Sequence, residues 1–476
     1  MYRFRSIDNL IGKYQELENQ EIYFATPEQL NDPMEGFRDI FWQGDHIVWK
    51  NFLKHYLMCL EYVTQITIFD EDKKIVDSSY IPVFDTESKL MTGKYKQIFN
   101  NTKVRFFSDE CICELPNLLA GRKFPIRRNE LLLYLKLIHP CAVNIILSIL
   151  ESYGFINRIN KFELKGLKKD TFLNFFNSVD KAEDTTLKKY NKDLESVFEV
   201  DNTILMQIRL MLQYNNKDKN MYTNQVFLMN EFPEAYLSRI EDIVYPRWYV
   251  TCFMSRCDNS SVWGHYGNNH KGVCLKFKVK EQNGLKSIRL KKTVGYSFSK
   301  GKLIKEVEEY VDQPLKKVNY IDRFVEIDFF RSLGNLPVPQ INSQWYEGEN
   351  GEFSECKKDM NDSMGNWRKS YWKKFEDSIS TKSRDWKYEN EYRLIINNSF
   401  FNYGNKDNRK LKYDFNDLDG IIFGIKTSST DKLKIIEIIE KKCRLYGRNN
   451  FNFYQARYCK ENGRIEPIKL SLLQFQ

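Results

Sequence analysis

Glu389-Asn390-Glu391 stands inside a strand-like segment that runs from Asp385 to Ile396. Residues two apart on a strand share a face, so the spacing predicts two converging carboxylates at a sheet end, with Leu394-Ile395-Ile396 carrying the strand into a core. Paired carboxylates divide labour: one stabilises a cationic sugar-like centre while the other acts on a nucleophile. The bland alternative is a surface pair bridged to Arg393 and Lys387. Arg3 and Arg5 repeat the same-face spacing on the first extended segment, where a guanidinium clamps a phosphate through two parallel N–H groups. Their structural alternative is a pairing with Asp32, Glu35 or Glu391. Between Trp263 and Gly272 an indole, a phenol, two imidazoles and several glycines share one loop, a composition suited to a flat aromatic ligand lying against backbone amides. His265, between Trp263 and Tyr266, is the better acid or base of the two histidines. The five-residue spacing of His265 and His270 matches no zinc pattern, and no metal is expected.

The elements that must position these groups are legible in outline. Tyr2 to Ser6 reads as extended, Asp8 to Glu18 as an amphipathic helix and Glu21 to Thr26 as a strand. The loop Pro27 to Gly36 holds Asn31, Asp32 and Pro33, residue types that fix a rigid turn. Glu61 to Glu110 reads as short strands and turns, and Asn129 to Arg239 as helical. In that helical block the lysines of 165–169 and 188–192 read as solvated faces. Leu131 to Leu150 is the most apolar stretch. Lys136, His139 and Pro140 interrupt it, so it is expected to be a buried helical hairpin rather than a membrane span. After Val244 come a β-prone run, the Trp263 loop, the strand Val273 to Val279, a basic aromatic helix near Asn366 to Phe375, the strand Gly420 to Phe423, the helix Thr430 to Lys442 and a closing strand Phe451 to Arg457.

Composition narrows the function classes. The chain has 476 residues, 42% hydrophobic and 15% aromatic, which excludes a disordered chain. Its net charge of +9 favours polyanionic partners without diagnosing nucleic-acid binding. Ten cysteines without a repeated CxxC pattern read as reduced thiols, and with no secretory signal at Met1 to Asp8 a cytoplasmic protein is expected. No GxSxG, Walker A, GxGxxG or HExxH pattern is present, which removes α/β-hydrolases, P-loop NTPases, dinucleotide-type dehydrogenases and common zinc proteases.

Five boxes in order resemble the bacterial family of domain of unknown function 2971. They are Tyr2-Arg3-Phe4-Arg5, Leu30-Asn31-Asp32-Pro33-Met34-Glu35, Cys252-Phe253-x-Ser255, Trp263-x-His265-Tyr266 with Gly272 and Phe277, and Trp386-x-x-Glu389-x-Glu391-Tyr392-Arg393. Leu30 replaces a usual Phe, and Met254 sits within the Cys-Phe-Ser box. The layout is similar to that of mono-ADP-ribosyltransferases. By that resemblance Arg5 or Arg3 binds the phosphates of NAD, Tyr23, Thr26 or Tyr266 lines the nicotinamide pocket, Trp263, Asn31 and Asp32 are also cofactor-binding candidates, Glu391 is catalytic, and Glu389 orients an acceptor. His265 joins them as acid or base. The fold expected is α+β, a mixed and mostly antiparallel sheet core with a large helical insertion. Residues 1–60 and 244–476 would form the core and 61–243 the insertion, largely helical after about residue 129. The function implied is an effector, of toxin or phage-defence type, that cleaves NAD as co-substrate and transfers ADP-ribose to a protein, DNA or RNA acceptor, with a regulatory partner on the insertion. A nucleic-acid-binding or nuclease-type defence protein stands as the alternative, on Arg289-Leu290-Lys291-Lys292 and the Trp367 to Lys374 stretch. A third reading is a non-catalytic sensor or scaffold in which Glu389 and Arg5 form a buried pair.

Overall fold

The computed structural model of the protein describes residues 1–69, 75–157, 224–299, 302–399, 401–473 and 475, with scattered positions between 170 and 215. The lysines of 165–169 and 188–192 lie outside the described residues. The chain forms two units. One comprises Met1–Phe37, Pro246–Val325 and Glu376–Gln476, and the other Arg38–Tyr245 and Glu326–Phe375. The second unit therefore starts at Arg38 rather than residue 61 and takes back a piece of chain, Glu326–Phe375, that the sequence assigns to the core.

The first unit carries the candidate chemistry. Its strands and helices in chain order are β1 (Tyr2–Arg5), α1 (Ile7–Ile11), α2 (Glu16–Asn19), β2 (Glu21–Tyr23), β3 (Trp248–Met254), α3 (Ser260–His265), β4 (Val273–Phe277), β5 (Lys280–Gln282), β6 (Leu285–Ser299), β7 (Lys302–Pro314), β8 (Lys316–Lys317), β9 (Asn319–Ile321), β10 (Thr381–Ser383), β11 (Glu391–Asn397), β12 (Lys410–Tyr413), β13 (Leu418–Phe423), α4 (Ser429–Tyr446), β14 (Asn452–Cys459) and β15 (Arg464–Lys469). Eight strands form the main sheet in the order β8-β11-β3-β1-β4-β13-β14-β15. Every pair is antiparallel except β13 with β14, and α4 is the crossover that a parallel pair requires. A second sheet joins β2, β12, β6 and β5, with β7 on the outer side of β6, and β9 pairs with β10 in parallel. The molecule is thus mixed α and β with mostly antiparallel sheets.

Two cores pack in this unit, and β1 contributes Phe4 to one of them. Phe4 packs with Met254, Trp263, Cys274 and Ile422 on one face. On the other, Phe253, Leu275, Leu394, Ile421 and Phe423 pack with Ile435 and Ile439 of α4. Arg3 and Arg5 share a face of β1, as their spacing requires. Gly12 caps α1, so the single helix expected over Asp8 to Glu18 is two short ones, and Gln15 opens α2 from the left-handed region at φ 49°.

In the second unit the helix His46–Phe69 replaces the start of the expected strands and turns, and Lys94–Phe107 is also helical. Residues 46–69 are apolar on most sides, which erases the 3.6-residue polar rhythm that marks a surface helix. Arg128–Ser152 is one continuous helix through Pro140, not a hairpin. Its buried face, with His139 bonded to the Tyr56 hydroxyl at 2.8 Å and the Leu228 carbonyl at 2.7 Å, offsets the hydrogen bond that proline removes. Among the described residues it alone is long and apolar enough to cross a membrane, and half of its most apolar window is buried.

Candidate functional site

β1, β3, α3 and the Asn31 loop enclose a cavity of about 610 Å³ in the first unit, a size ordinary for small-molecule pockets. Arg3, Arg5, Tyr23, Asn31, His265 and Tyr266 line it, joined by Gln29, Asn268, Cys252 and Lys382. Six of the sequence-predicted residues therefore meet at one depression although up to 263 positions separate them.

The cationic end is built by β1 and α2. Arg5 Nε donates to Glu16 Oε2 at 2.7 Å, and its Nη2 donates to the other oxygen. Arg3 is only 4% exposed. Its Nη2 reaches the Tyr23 carbonyl at 3.4 Å, while its Nη1 has no hydrogen-bond partner among the described residues. Glu16 Oε2 stands 3.8 Å from that Nη1, beyond hydrogen-bond reach. Burial, and then the Arg5 charge, push the Arg3 guanidinium down to about 10, as expected of an under-compensated cation. Arg5 pairs with Glu16 and not with Asp32, Glu35, Glu389 or Glu391.

The opposite wall carries rings and amides. The Tyr23 hydroxyl bonds Gln29 at 3.3 Å. His265 is exposed at the rim, its Nδ1 3.1 Å from the Tyr388 hydroxyl, so the desolvation expected of it is absent. Beyond Tyr266, Asn268, Asn269 and His270 all lie at positive φ, 49°, 53° and 68°. Three consecutive non-glycine residues in that region store strain beside the cavity. The turn is closed by Gly272, where a Cβ would stand 2.3 Å from the Arg5 carbonyl oxygen. Trp263 is not part of this wall. It is fully buried on the far face, its indole N–H donating to the Cys257 carbonyl at 2.8 Å and its ring edge-on to Phe4. Thr26 caps the short 3-10 turn Pro27–Gln29, and Asp32 accepts from the Met34 amide at 2.9 Å; neither lines the cavity.

Glu389 and Glu391 are not two residues of one strand. Glu389 ends a 3-10 turn, Arg384–Glu389, Asn390 turns the chain at φ 47°, and β11 begins at Glu391. The carboxylates nevertheless converge, because Lys382 of β10 bonds both, Glu389 at 2.8 Å and Glu391 at 3.3 Å. Arg393 donates from Nε to Glu391 at 2.9 Å, forks onto Glu35 at 2.6 and 2.9 Å, reaches Glu391 again at 3.2 Å and bonds the Ile379 carbonyl at 2.8 Å. All five of its donors are thereby used. Both carboxylates are 1% exposed. Burial alone would push Glu391 up, but Arg393 and Lys382 overcome it and hold the carboxyl down at about 2. Glu389 and Glu35 are raised by their burial, against the pull of Lys382 and Arg393 respectively. Glu391 is therefore a buried ion whose two oxygens are already engaged, and the direct contact with a ligand expected of a catalytic carboxylate has no open path. What reaches the cavity from this network is Lys382, whose ammonium also lies 4.6 Å from the Trp386 ring, and the Tyr266 hydroxyl, which donates to Glu389 at 2.6 Å.

Sequence reasoning missed Glu16 and Lys382 as partners, and offered Glu35 to Arg3 or Arg5 where the structure gives it to Arg393. Lys382 lies on β10, seven residues before Glu389, and no local spacing signals it. Residues 262–394 match the family described as Protein of unknown function (DUF2971). No curated protein and no solved structure matches the chain.

Proposed function

We propose that the first unit binds a phosphate-bearing, flat-ringed ligand of the nucleotide class, with NAD the leading candidate. One observation carries the reading: the Arg3 guanidinium, buried beside the cavity, whose Nη1 makes no hydrogen bond among the described residues and has Glu16 Oε2 only at 3.8 Å. A buried donor left unpaired costs about 1–3 kcal/mol, more for a charged group, and a ligand anion removes that cost. Arg3 and Arg5 take the phosphates, and Tyr23, Tyr266 and His265 take the ring.

The reaction we assign is glycosyl transfer from NAD to a macromolecular acceptor, on an ADP-ribosyltransferase-like core. Tyr266, tied to Glu389, is the group that touches the ligand. Glu391 is a positioning residue that holds Lys382 and Arg393. The ten free cysteines suit a reducing compartment, and we place the protein in the cytoplasm as an effector of toxin or defence type.

The test is titration of the full chain with NAD and ADP-ribose by calorimetry, beside Arg3→Gln, followed by NAD consumption with labelled cofactor and cell extract. Binding that Arg3→Gln weakens at least tenfold, with label moving to an acceptor, is the expected result. Absence of NAD and ADP-ribose binding at millimolar concentration in a folded protein overturns the reading.

A further inference from the structure

Arg3 and Arg5 line the cavity, and Glu16, behind them, brings the three side chains to one net positive charge. The pairing is unequal: Glu16 gives Arg5 a two-bond fork and leaves Arg3 at 3.8 Å. A carboxylate forked onto a guanidinium occupies the place a phosphate would take, with the same planar geometry. Glu16 arrives there at the first position of α2, a four-residue helix flanked on both sides by glutamines in the left-handed region, Gln15 at φ 49° and Gln20 at φ 55°. Non-glycine residues in that region cost energy and persist where the surroundings enforce them. Leu17, fully buried, fixes the backbone of α2 in the core. Glu16 is itself 5% exposed, so a ligand that takes Arg5 must draw its carboxylate out of a buried place while Leu17 holds the helix. Arg5 keeps 20% of its side chain exposed, so the displaced carboxylate has water to enter.

We propose that Glu16 is a built-in competitor for the anion site of this cavity, and that the ligand able to displace it carries a diphosphate. This rests on the nucleotide-class reading above. Charge selects the diphosphate: with Glu16 gone, Arg3 and Arg5 present two positive charges on one strand face, and a diphosphate diester brings two negative ones. A single phosphodiester charge balances the site only while Glu16 stays, and then Arg5 is closed to it.

The experiment is calorimetric titration of the full chain with inorganic pyrophosphate, and separately with orthophosphate, at fixed ionic strength. It compares wild type, Glu16→Gln and Glu16→Asp. Glu16→Gln is expected to bind pyrophosphate about tenfold tighter, with a smaller gain for orthophosphate. Glu16→Asp, whose shorter stem cannot keep the fork, is expected between wild type and Glu16→Gln, and it decides the matter should the Gln variant not fold. Equal or weaker pyrophosphate binding in the variants overturns the proposal, since Glu16 would then be organising Arg5 rather than competing for it. No pyrophosphate binding by any form also overturns it. A tighter Glu16→Gln complex with pyrophosphate, alongside no binding of NAD, leaves the competitor standing and removes the nucleotide assignment. NAD binding unaffected by Glu16→Gln does the reverse.

Discussion

Replacing Arg393 with methionine isolates what the buried charge network contributes. The side chain is fully buried, so an unbranched apolar residue of similar length fills its space without a large cavity. Five hydrogen bonds vanish, among them the fork onto Glu35 and both contacts to Glu391. Three buried carboxylates then face one cation, Lys382, which lies 4.0 Å from Glu35, 2.8 Å from Glu389 and 3.3 Å from Glu391. Removing one partner of a buried pair costs about 3–5 kcal/mol, chiefly because the abandoned charge stays desolvated. The pH dependence supplies an internal check. In wild type, Glu391 is held at about 2 against an ordinary 4.5, so it contributes stability that is complete above 4.5 and is lost as pH falls through 2. The variant lacks most of that contribution and protonates its stranded carboxylates more readily. Its deficit relative to wild type should therefore be largest near pH 7 and shrink toward pH 3. Urea unfolding from pH 3 to 8 measures both quantities. A loss under 1 kcal/mol at pH 7, or a deficit that grows on acidification, would refute the view of Glu391 as a buried, Arg-held anion.

Glu61, fully buried with its Oε2 unpartnered, is pushed by burial up to about 7. The folded state then keeps a proton that the unfolded chain releases near 4.5, so stability falls as pH rises from about 4.5 through 7. Glu61→Gln should gain up to about 3 kcal/mol at pH 8 and nothing at pH 4, read by urea unfolding. Tyr266→Phe strips Glu389 of its hydroxyl donor at 2.6 Å and should cost about 1–3 kcal/mol while weakening ring binding in the cavity; an unchanged stability and affinity would remove Tyr266 from the site. Gly272→Ala places a methyl 2.3 Å from the Arg5 carbonyl and 3.0 Å from that of Gly267, so β1 and β4 must part; a loss of about 1–3 kcal/mol with weaker anion binding is expected, and a neutral result refutes the close approach.

How far the sequence discloses this arrangement depends on the range of the interaction. Alternation on β1 placed Arg3 and Arg5 on one face, and the composition of the Trp263 loop pointed to a ring-bearing wall, because both are local properties of the backbone. The strand at Gly420, the helix after Ser428 and the strand at Asn452 were likewise legible from period alone. The long hairpin of β6 and β7 was not, since its alternation is blurred by charges on both faces of a ribbon. Glu389 and Glu391 show a subtler failure. Their spacing suggested a shared strand face, yet Asn390 adopts the left-handed conformation that asparagine tolerates, and the two carboxylates meet only through Lys382. The helix through Pro140 was hidden because tertiary burial outweighs a local breaker, and nothing in the sequence neighbourhood reports that burial.

The two arginine systems of the first unit differ in what they leave open, and the proposed site rests on that difference. Arg393 has every donor engaged and carboxylates on two sides, so it offers a ligand nothing. Arg3 is almost as deeply buried, at 4% exposure, but its Nη1 is unbonded and it borders open volume. Burying a guanidinium without satisfying it weakens the fold, and the left-handed backbone of Asn268, which lines the same cavity, with Asn269 and His270 after it, adds strain there. Costs gathered at one depression, while the network two strands away is fully satisfied, support the proposal of an anion that completes it. The geometry thus separates residues that the resemblance, Arg first and Glu-x-Glu late, treats as one constellation: the carboxylates are engaged within the protein, and the first strand lines the open volume.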